Sequence, residues 1–259
     1  MSRWRPERLV LGLDAERLAG SDDAAPAPAG GWDASSLQAA LSALAGRGAD
    51  VQVLLAPDLC KHFVHQAPAG LQSLAELREL AALRAAQLFG GAAADWAVVA
   101  DWRLATPCVC AALPQSLLQG LQAAAAALKL TLSVQSALLL ALERVMLGRA
   151  SKAIDVEALG GYVAWFTPRH TVLVGVRGHT VHSLRCVHRA AAADAQVLSA
   201  QLQRELAREG LLAGDSDTRL VMTHPLTGLA LPDAEPGRWL EATAGLDEAG
   251  WAHALGGTP

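Results

Sequence analysis

Several features that mark common enzymes are missing from this sequence. Aromatic residues make up only 4% of its 259 residues, and its four cysteines form no C-x-x-C pair. The sequence contains no G-x-S-x-G, H-E-x-x-H, G-x-x-x-x-G-K-[ST] or G-x-G-x-x-G motif. It therefore lacks the short signatures of serine hydrolases, zinc proteases, P-loop nucleotide sites and dinucleotide sites. We predict no catalytic residue and no metal ligand from motifs of this kind.

Strong positive charge and long hydrophobic runs are missing as well. The formal net charge is -4, and no cluster of Lys and Arg reverses it locally, so nucleic acid is not an expected partner. The most apolar run, residues 130–142, contains Ser133, Gln135 and Ser136 and is shorter than the roughly 20 residues of a membrane span. The first apolar run, of about five residues, is shorter than the roughly 7–15 of a signal-peptide core. We therefore expect a soluble, cytoplasmic protein without direct membrane insertion.

The cysteines and histidines are predicted to pack rather than to bind metal. Cys108 and Cys110 lie two residues apart in a strand-like run and so share one face, where free cysteines behave as small hydrophobic residues. Two pairs of histidines are spaced by three residues: His62 with His65, and His179 with His182. In a strand this spacing places the rings on opposite faces, which is unsuitable for sharing a metal ion.

The chain is predicted to form two lobes. The first, residues 1–150, alternates strand-like and helix-like segments and includes a flexible loop at 19–31, rich in Pro, Gly and Ala. The second, residues 158–231, has the pattern of three antiparallel strands, a helix and a further strand. Residues 232–259 form a tail that we expect to be partly ordered at most. A mixed sheet with helices packed on it in each lobe is an α/β architecture.

Three amphipathic helices are predicted in the first lobe. The one capped by Asp33 or Ser35 has its apolar face at Leu37, Ala40, Leu41 and Leu44. The one beginning at Ser73 has its apolar face at Leu74, Leu77, Leu80 and Leu83. The third has its apolar face at Leu117, Leu118, Leu121, Ala124, Ala125 and Leu128.

The order of these elements resembles that of the actin-like ATPase superfamily. The segments that carry the resemblance are LVLGLD (9–14), VQVLLAPDLCKHFVHQAP (51–68), SLAELRELAALRAAQLFG (73–90), DWAVVADW (95–102) and residues 111–144. More narrowly, the chain is similar to PilM-type pilus-assembly proteins and to the cytoplasmic part of GspL-type secretion proteins. The resemblance covers most of residues 8–225. It implies a two-lobed actin-like fold with mixed sheets flanked by helices.

The resemblance also locates an ATP site and predicts that the site is degenerate. In the superfamily a Gly-containing turn after the first strand approaches the phosphates, and this chain has Asp14, Ala15 and Glu16 there. The charge of Glu16 would repel a triphosphate, and a side chain would block the close approach of the backbone. We therefore expect Asp14 to form a turn rather than to hold a metal-bound water, and we expect no cofactor.

Two further nucleotide-binding turns of the superfamily also differ in this chain. An acidic residue followed by Gly opens the second lobe in the superfamily, where this chain has Trp165, Phe166 and Thr167. A Gly-Gly turn that holds the adenosine corresponds to VMTHPLTG at residues 221–228. Both differences favour loss of nucleotide binding.

Two tryptophans in DWAVVADW provide a candidate binding surface. Trp96 and Trp102 share one face if the strand is continuous. We predict that both indoles pack in the core. The alternative is an apolar groove that receives a peptide from a partner, because Trp is frequent at binding hot spots. In that case Arg103, with Asp101, would orient the polar ends of the ligand.

Taken with the resemblance, these observations imply a non-enzymatic cytoplasmic scaffold of a type IV pilus or type II secretion-like assembly platform. The implied partner is an inner-membrane protein with a short cytoplasmic tail, which would hold the scaffold at the inner face of the bacterial inner membrane. An assembly ATPase is a second candidate partner. Two alternatives remain open: an active ATP-binding protein with altered loops, and an enzyme of unknown type that uses the cleft between the lobes.

Overall fold

The computed structural model describes most of the first lobe and the strands of the second. The described residues are 9–20, 24–45, 49–146, 160–166, 170–177, 180–188, 204, 219–222 and 239–241. Contacts between residues divide the chain after Leu140 into two compact units. The predicted lobe bounds, 1–150 and 158–231, stay predictions. Most of the helix predicted after residue 190 lies outside the described residues, although Arg204 is helical.

The first unit contains most of the described helices and strands, and α4 begins in it and continues past Leu140. In chain order they are β1 (Leu9–Leu13), β2 (Arg17–Ala19), β3 (Ala24–Pro26), α1 (Ala34–Leu44), β4 (Asp50–Leu55), β5 (Lys61–His65), α2 (Leu74–Phe89), β6 (Trp96–Ala100), β7 (Cys108–Pro114), α3 (Gln115–Leu128), β8 (Thr131–Ser136) and α4 (Ala137–Met146). A short 3-10 helix, Ala93–Asp95, precedes β6. Among the described residues, no helix is both long and apolar enough to span a membrane.

The main sheet of the first unit has five strands in the order β3-β2-β1-β4-β8. β1, β4 and β8 are parallel, and β2 returns antiparallel to β1 through a tight turn. The register aligns Leu13 with Leu55, and Leu55 with Ser136. The carboxyl ends of the three parallel strands therefore lie side by side, with the β1–β2 turn at the same edge.

Helices α1 and α3 pack together against this sheet. Asp33 caps α1, accepting a hydrogen bond from Ser36 N at 2.8 Å, and this bond is the main reason that the pKa of Asp33 is lowered to about 2. The predicted cap and buried face of α1 are confirmed at Leu37, Ala40 and Leu41. The predicted face of α3 is confirmed at Leu117, Leu121, Ala124 and Ala125.

A second, three-stranded antiparallel sheet, β5-β7-β6, is inserted between β4 and α3. Helix α2 covers one face of it, and the predicted apolar face of α2 is partly wrong. Leu77 is buried, whereas Leu74 is 41% exposed and Leu83 is 51% exposed. The helix instead buries Ala81 and Ala85, because Phe63 and its neighbours on the sheet fill the space and only small residues allow close contact.

The loop predicted at residues 19–31 is wrong for Ala24–Pro26, which form β3. Leu18 pairs with Ala25, so this segment is the edge strand of the main sheet. Pro26 is compatible with that position because an edge strand does not need every N–H for its ladder. The Ala- and Pro-rich composition of the segment therefore misled the sequence-based prediction.

The second unit contains a five-stranded sheet in the order β11-β10-β9-β12-β13. Its strands are β9 (Gly160–Phe166), β10 (His170–Arg177), β11 (Thr180–His188), β12 (Arg219–Met222) and β13 (Trp239–Glu241). The first three pair antiparallel in succession, which confirms the predicted three-stranded meander. β12 is parallel to β9, and β13 is parallel to β12. β13 lies in the predicted tail, the rest of which is outside the described residues.

Candidate functional site

The turn between β1 and β2 is closed by its own carboxylate. Asp14 Oδ1 accepts hydrogen bonds from the backbone N–H groups of Glu16 at 2.7 Å and Arg17 at 2.8 Å. Asp14 N donates to Arg17 O at 3.0 Å, which completes the hairpin. The prediction that Asp14 forms a turn is confirmed. Two N–H groups that could otherwise bind an anion are occupied by this side chain.

An indole holds the turn from the other side. Trp32 Nε1 donates a hydrogen bond to Asp14 O at 2.7 Å, across 18 residues of sequence. Arg17 Nε lies 3.7 Å from Asp14 Oδ2, which partly balances the charge of the carboxylate. Glu16 is exposed at the tip of the turn. The turn is thus fixed by contacts within the chain, and an acidic side chain lies at its tip.

The other two predicted nucleotide-binding turns lie mostly outside the described residues. Trp165 and Phe166 belong to β9, and Thr167 is not described. In the segment 221–228, only Val221 and Met222 are described, at the end of β12. The predicted loss of these two turns stays a prediction.

Trp96 and Trp102 pack against the same small core under α2, as the first of the two interpretations predicted. Trp96 Nε1 donates to Gly90 O at 2.8 Å, and its ring lies 5.6 Å from that of Phe89. β6 ends at Ala100, so Trp102 follows in the connecting loop, with the Arg78 guanidinium 5.8 Å from its ring centroid.

Arg103 lies in the same loop and forms an exposed ion pair with Asp101. The structure therefore places Trp96 at the start of β6 and places Trp102 and Arg103 beyond its end. Their role in binding a partner stays a prediction.

A pocket beside Trp96 was not foreseen from the sequence. It has a volume of about 580 Å³ and lies where α2 and the 3-10 helix meet the start of α3. Its lining residues are Phe89, Gly90, Gly91, Ala94, Asp95, Trp96, Pro114, Gln115, Ser116 and Gln119. Aromatic rings form one side, and the polar side chains of α3 form the other.

Gly91 and Pro114 shape the backbone around this pocket. Gly91 has a φ of +78°, and a Cβ there would lie 2.8 Å from Asp95 Oδ2, so glycine is favoured at this position. Pro114 offers no side-chain acceptor to the first turn of α3. The free N–H groups of that turn are therefore available to acceptors in a ligand. In the sequence, this pocket is indicated only by the Gly90-Gly91 pair and by a proline where a strand meets a helix.

A buried polar cluster was also missed. His62 Nε2 lies 2.6 Å from Ser136 Oγ, and Leu139 N donates to the same oxygen at 3.2 Å. The side chains of His62 and Ser136 are only 7% and 5% exposed, so no substrate reaches this Ser-His pair. Burial lowers the pKa of His62 to about 3, and burial raises the pKa of the nearby Cys60 to about 12. The cluster is neutral and joins β5 to the end of β8.

The predicted positions of Cys108, Cys110, His62 and His65 agree with the structure, whereas His179 of the second histidine pair lies outside the described residues. Cys108 and Cys110 are both buried in β7 under α2. His62 and His65 both lie in β5 at a spacing that places them on opposite faces. Within the described ranges, no group of three or more His, Cys, Asp and Glu side chains could hold a metal ion.

Comparison with known proteins identifies the architecture. No protein-family model matches the sequence, and no curated protein matches it. Several solved structures match over most of the chain. The cytoplasmic domain of EpsL, an inner-membrane component of the type II secretion system of Vibrio cholerae, aligns with a TM-score of 0.52 and 13% identity over 90% of this chain and 89% of that one.

The PilM-PilN type IV pilus biogenesis complex aligns with a TM-score of 0.61 and 15% identity, covering 97% of each chain. A protein of unknown function from Bacteroides thetaiotaomicron, with an actin-like ATPase fold, aligns with a TM-score of 0.53 and 9% identity over 85% of this chain and 82% of that one. The chain has an actin-like fold. The α/β class and the actin-like, PilM- and GspL-type resemblance are confirmed at the level of the fold.

Proposed function

We propose that this protein is a non-enzymatic scaffold of a type IV pilus or type II secretion-like assembly platform. The observation that carries the proposal is the β1–β2 turn, in which the Asp14 carboxylate accepts the N–H groups of Glu16 and Arg17. A phosphate at this turn would have to displace an internal carboxylate and lie beside Glu16. Both requirements oppose nucleotide binding.

The proposed partner is an inner-membrane protein with a short cytoplasmic tail. Two proteins of similar fold support this choice. One is the cytoplasmic domain of an inner-membrane secretion component, and the other was solved as a PilM-PilN complex. Such a partner would hold this chain in the cytoplasm at the inner face of the bacterial inner membrane. An assembly ATPase is the second candidate partner.

We place the tail in the pocket beside Trp96. The indole and Phe89 offer an apolar wall, while Gln115, Ser116 and Gln119 offer polar side chains along the facing helix. An extended peptide has both apolar side chains and unpaired backbone groups, so it suits a pocket with both kinds of surface. Trp102 and Arg103 do not line the pocket and are proposed only as contacts of a longer tail.

Site-specific photo-crosslinking in living cells tests this proposal. A benzophenone amino acid in place of Gln119 should form a crosslink to an inner-membrane protein, because that side chain lines the pocket. The matched control carries the same amino acid in place of Leu83, which is 51% exposed on α2 and does not line the pocket. The proposal predicts a product several-fold stronger at 119 than at 83, whereas equal yields or no membrane protein at 119 would contradict it.

A further inference from the structure

Strand β6 is an unprotected edge of the inserted sheet. The order β5-β7-β6 pairs β6 with β7 on one side, and no described strand lies on the other side. Its sequence, WAVVA, contains no charged residue and no proline, and its register with β7 is continuous. Natural edge strands usually carry a charge, a proline or a bulge that prevents pairing with another strand. One edge of the main sheet follows that rule, since β3 contains Pro26.

The hydrogen bonds of β6 show which groups face outward. Trp96 is opposite Pro114, which has no N–H, and Trp96 N instead donates to Ala93 O. Trp96 and Pro114 are therefore not joined by backbone hydrogen bonds. Hydrogen-bonded and non-hydrogen-bonded pairs alternate along antiparallel strands, so Ala97 and Val99 are the residues of β6 that form backbone hydrogen bonds with β7. The N–H and C=O groups of Val98 and Ala100 consequently point away from β7.

We propose that β6 pairs with β6 of a second copy of this chain. The two strands would run antiparallel about a two-fold axis at Val98, whose outward N–H and C=O groups would bond to the same groups of the second copy. Ala100 N–H would donate to the Trp96 C=O of the second copy. The result is a six-stranded sheet that continues across the dimer.

The side chains of β6 complement themselves in this register. Trp96 stands opposite Ala100 of the second copy, and Val99 stands opposite Ala97, so a large residue meets a small one on each face. Val99, now 57% exposed, would be covered by the second copy. The strand itself carries no charge. Asp95 and Asp101 flank it and would stand opposite each other in this register, and the ion pair of Arg103 with Asp101 offsets part of that charge. The matched side chains favour a second copy over a peptide from another protein, whose side chains are not matched to β6.

Sedimentation velocity of the full chain, from low to high micromolar concentration, tests the proposal. We expect wild-type protein to form a dimer of twice 26.9 kDa as concentration rises. Val99→Lys should raise the dissociation constant of the dimer by about tenfold or more, because it places two like charges at the seam. The matched control, Leu83→Lys, makes the same change at a residue that is 51% exposed on α2 and should leave the constant unchanged.

A second variant tests the hydrogen-bond pattern itself. Ala100→Pro removes an outward N–H without removing a bond to β7, and proline is tolerated in edge strands. It should also weaken the dimer by about tenfold or more while the circular dichroism spectrum stays that of wild type. A wild-type protein that remains at 26.9 kDa at every concentration would overturn the proposal. So would folded Val99→Lys and Ala100→Pro variants that dimerise as well as wild type.

Discussion

Replacing Leu121 by alanine should lower the free energy of unfolding of the first unit by about 2–5 kcal/mol. Leu121 is fully buried in α3, in the core shared with Leu37 and Leu41 of α1. The two helices are in close contact there, because a Cβ on Gly120 would lie 3.2 Å from Leu37 Cδ1. The two helices have little room to move into the cavity that the substitution leaves. Most of the free-energy cost of that cavity should therefore appear as a loss of stability.

Urea titration followed by circular dichroism measures this effect. The matched control is Leu88→Ala, which makes the same change at a residue that is 44% exposed on α2. It should alter the free energy of unfolding by less than about 0.5 kcal/mol. A shift in midpoint at an unchanged slope identifies a change in stability. Equal effects of the two substitutions would contradict the burial of Leu121 where α3 packs against α1 and the main sheet.

Acidification should destabilise the protein through His62. Burial, with a smaller contribution from Lys61, lowers the pKa of His62 from 6.5 to about 3, so the folded state keeps it neutral. The unfolded state binds a proton as the pH falls below 6.5, and it is therefore stabilised relative to the folded state. Between about pH 7.5 and about pH 5, His62 alone should lower the free energy of unfolding by about 2 kcal/mol.

The comparison of His62→Gln with His65→Gln isolates this contribution. Glutamine keeps a polar group within reach of Ser136 but does not titrate, so His62→Gln should lose most of the pH dependence. His65 is less buried, and burial also lowers its pKa, so His65→Gln should remove a smaller part. Urea titrations at the two pH values measure the difference. The neutral buried state of His62 would be disproved if His62→Gln kept the full wild-type slope.

The sequence predicted those elements whose pattern is set by local geometry. Asp33 was one of two predicted caps, with Ser35, and Leu121 was predicted to be buried, because both follow from the period of a helix and the chemistry of its first turn. The face of α2 was only partly predicted, since eleven of its sixteen positions are apolar and periodicity alone does not choose among them. Contact with Phe63 on the sheet decided in favour of Ala81 and Ala85.

The candidate sites were harder to predict, because they depend on contacts between residues that are distant in sequence. The Asp14 turn was predicted because its residues are consecutive, whereas the Trp32 bond to it crosses 18 positions. The cluster of His62 and Ser136 joins residues 74 positions apart that lie in strands of two different sheets. The pocket beside Trp96 depends in the same way on where α3 begins relative to the end of α2.

The thermal unfolding midpoint with and without millimolar Mg-ATP tests nucleotide binding most directly. Magnesium without nucleotide is the control. If the carboxylate of Asp14 and the charge of Glu16 keep phosphate out of the β1–β2 turn, the midpoint should not change. A ligand at about 100 times its dissociation constant adds about 2.7 kcal/mol, which raises the midpoint of a chain of this size by about 5–10 °C. A rise of that size would contradict the scaffold proposal and identify an active ATP-binding protein.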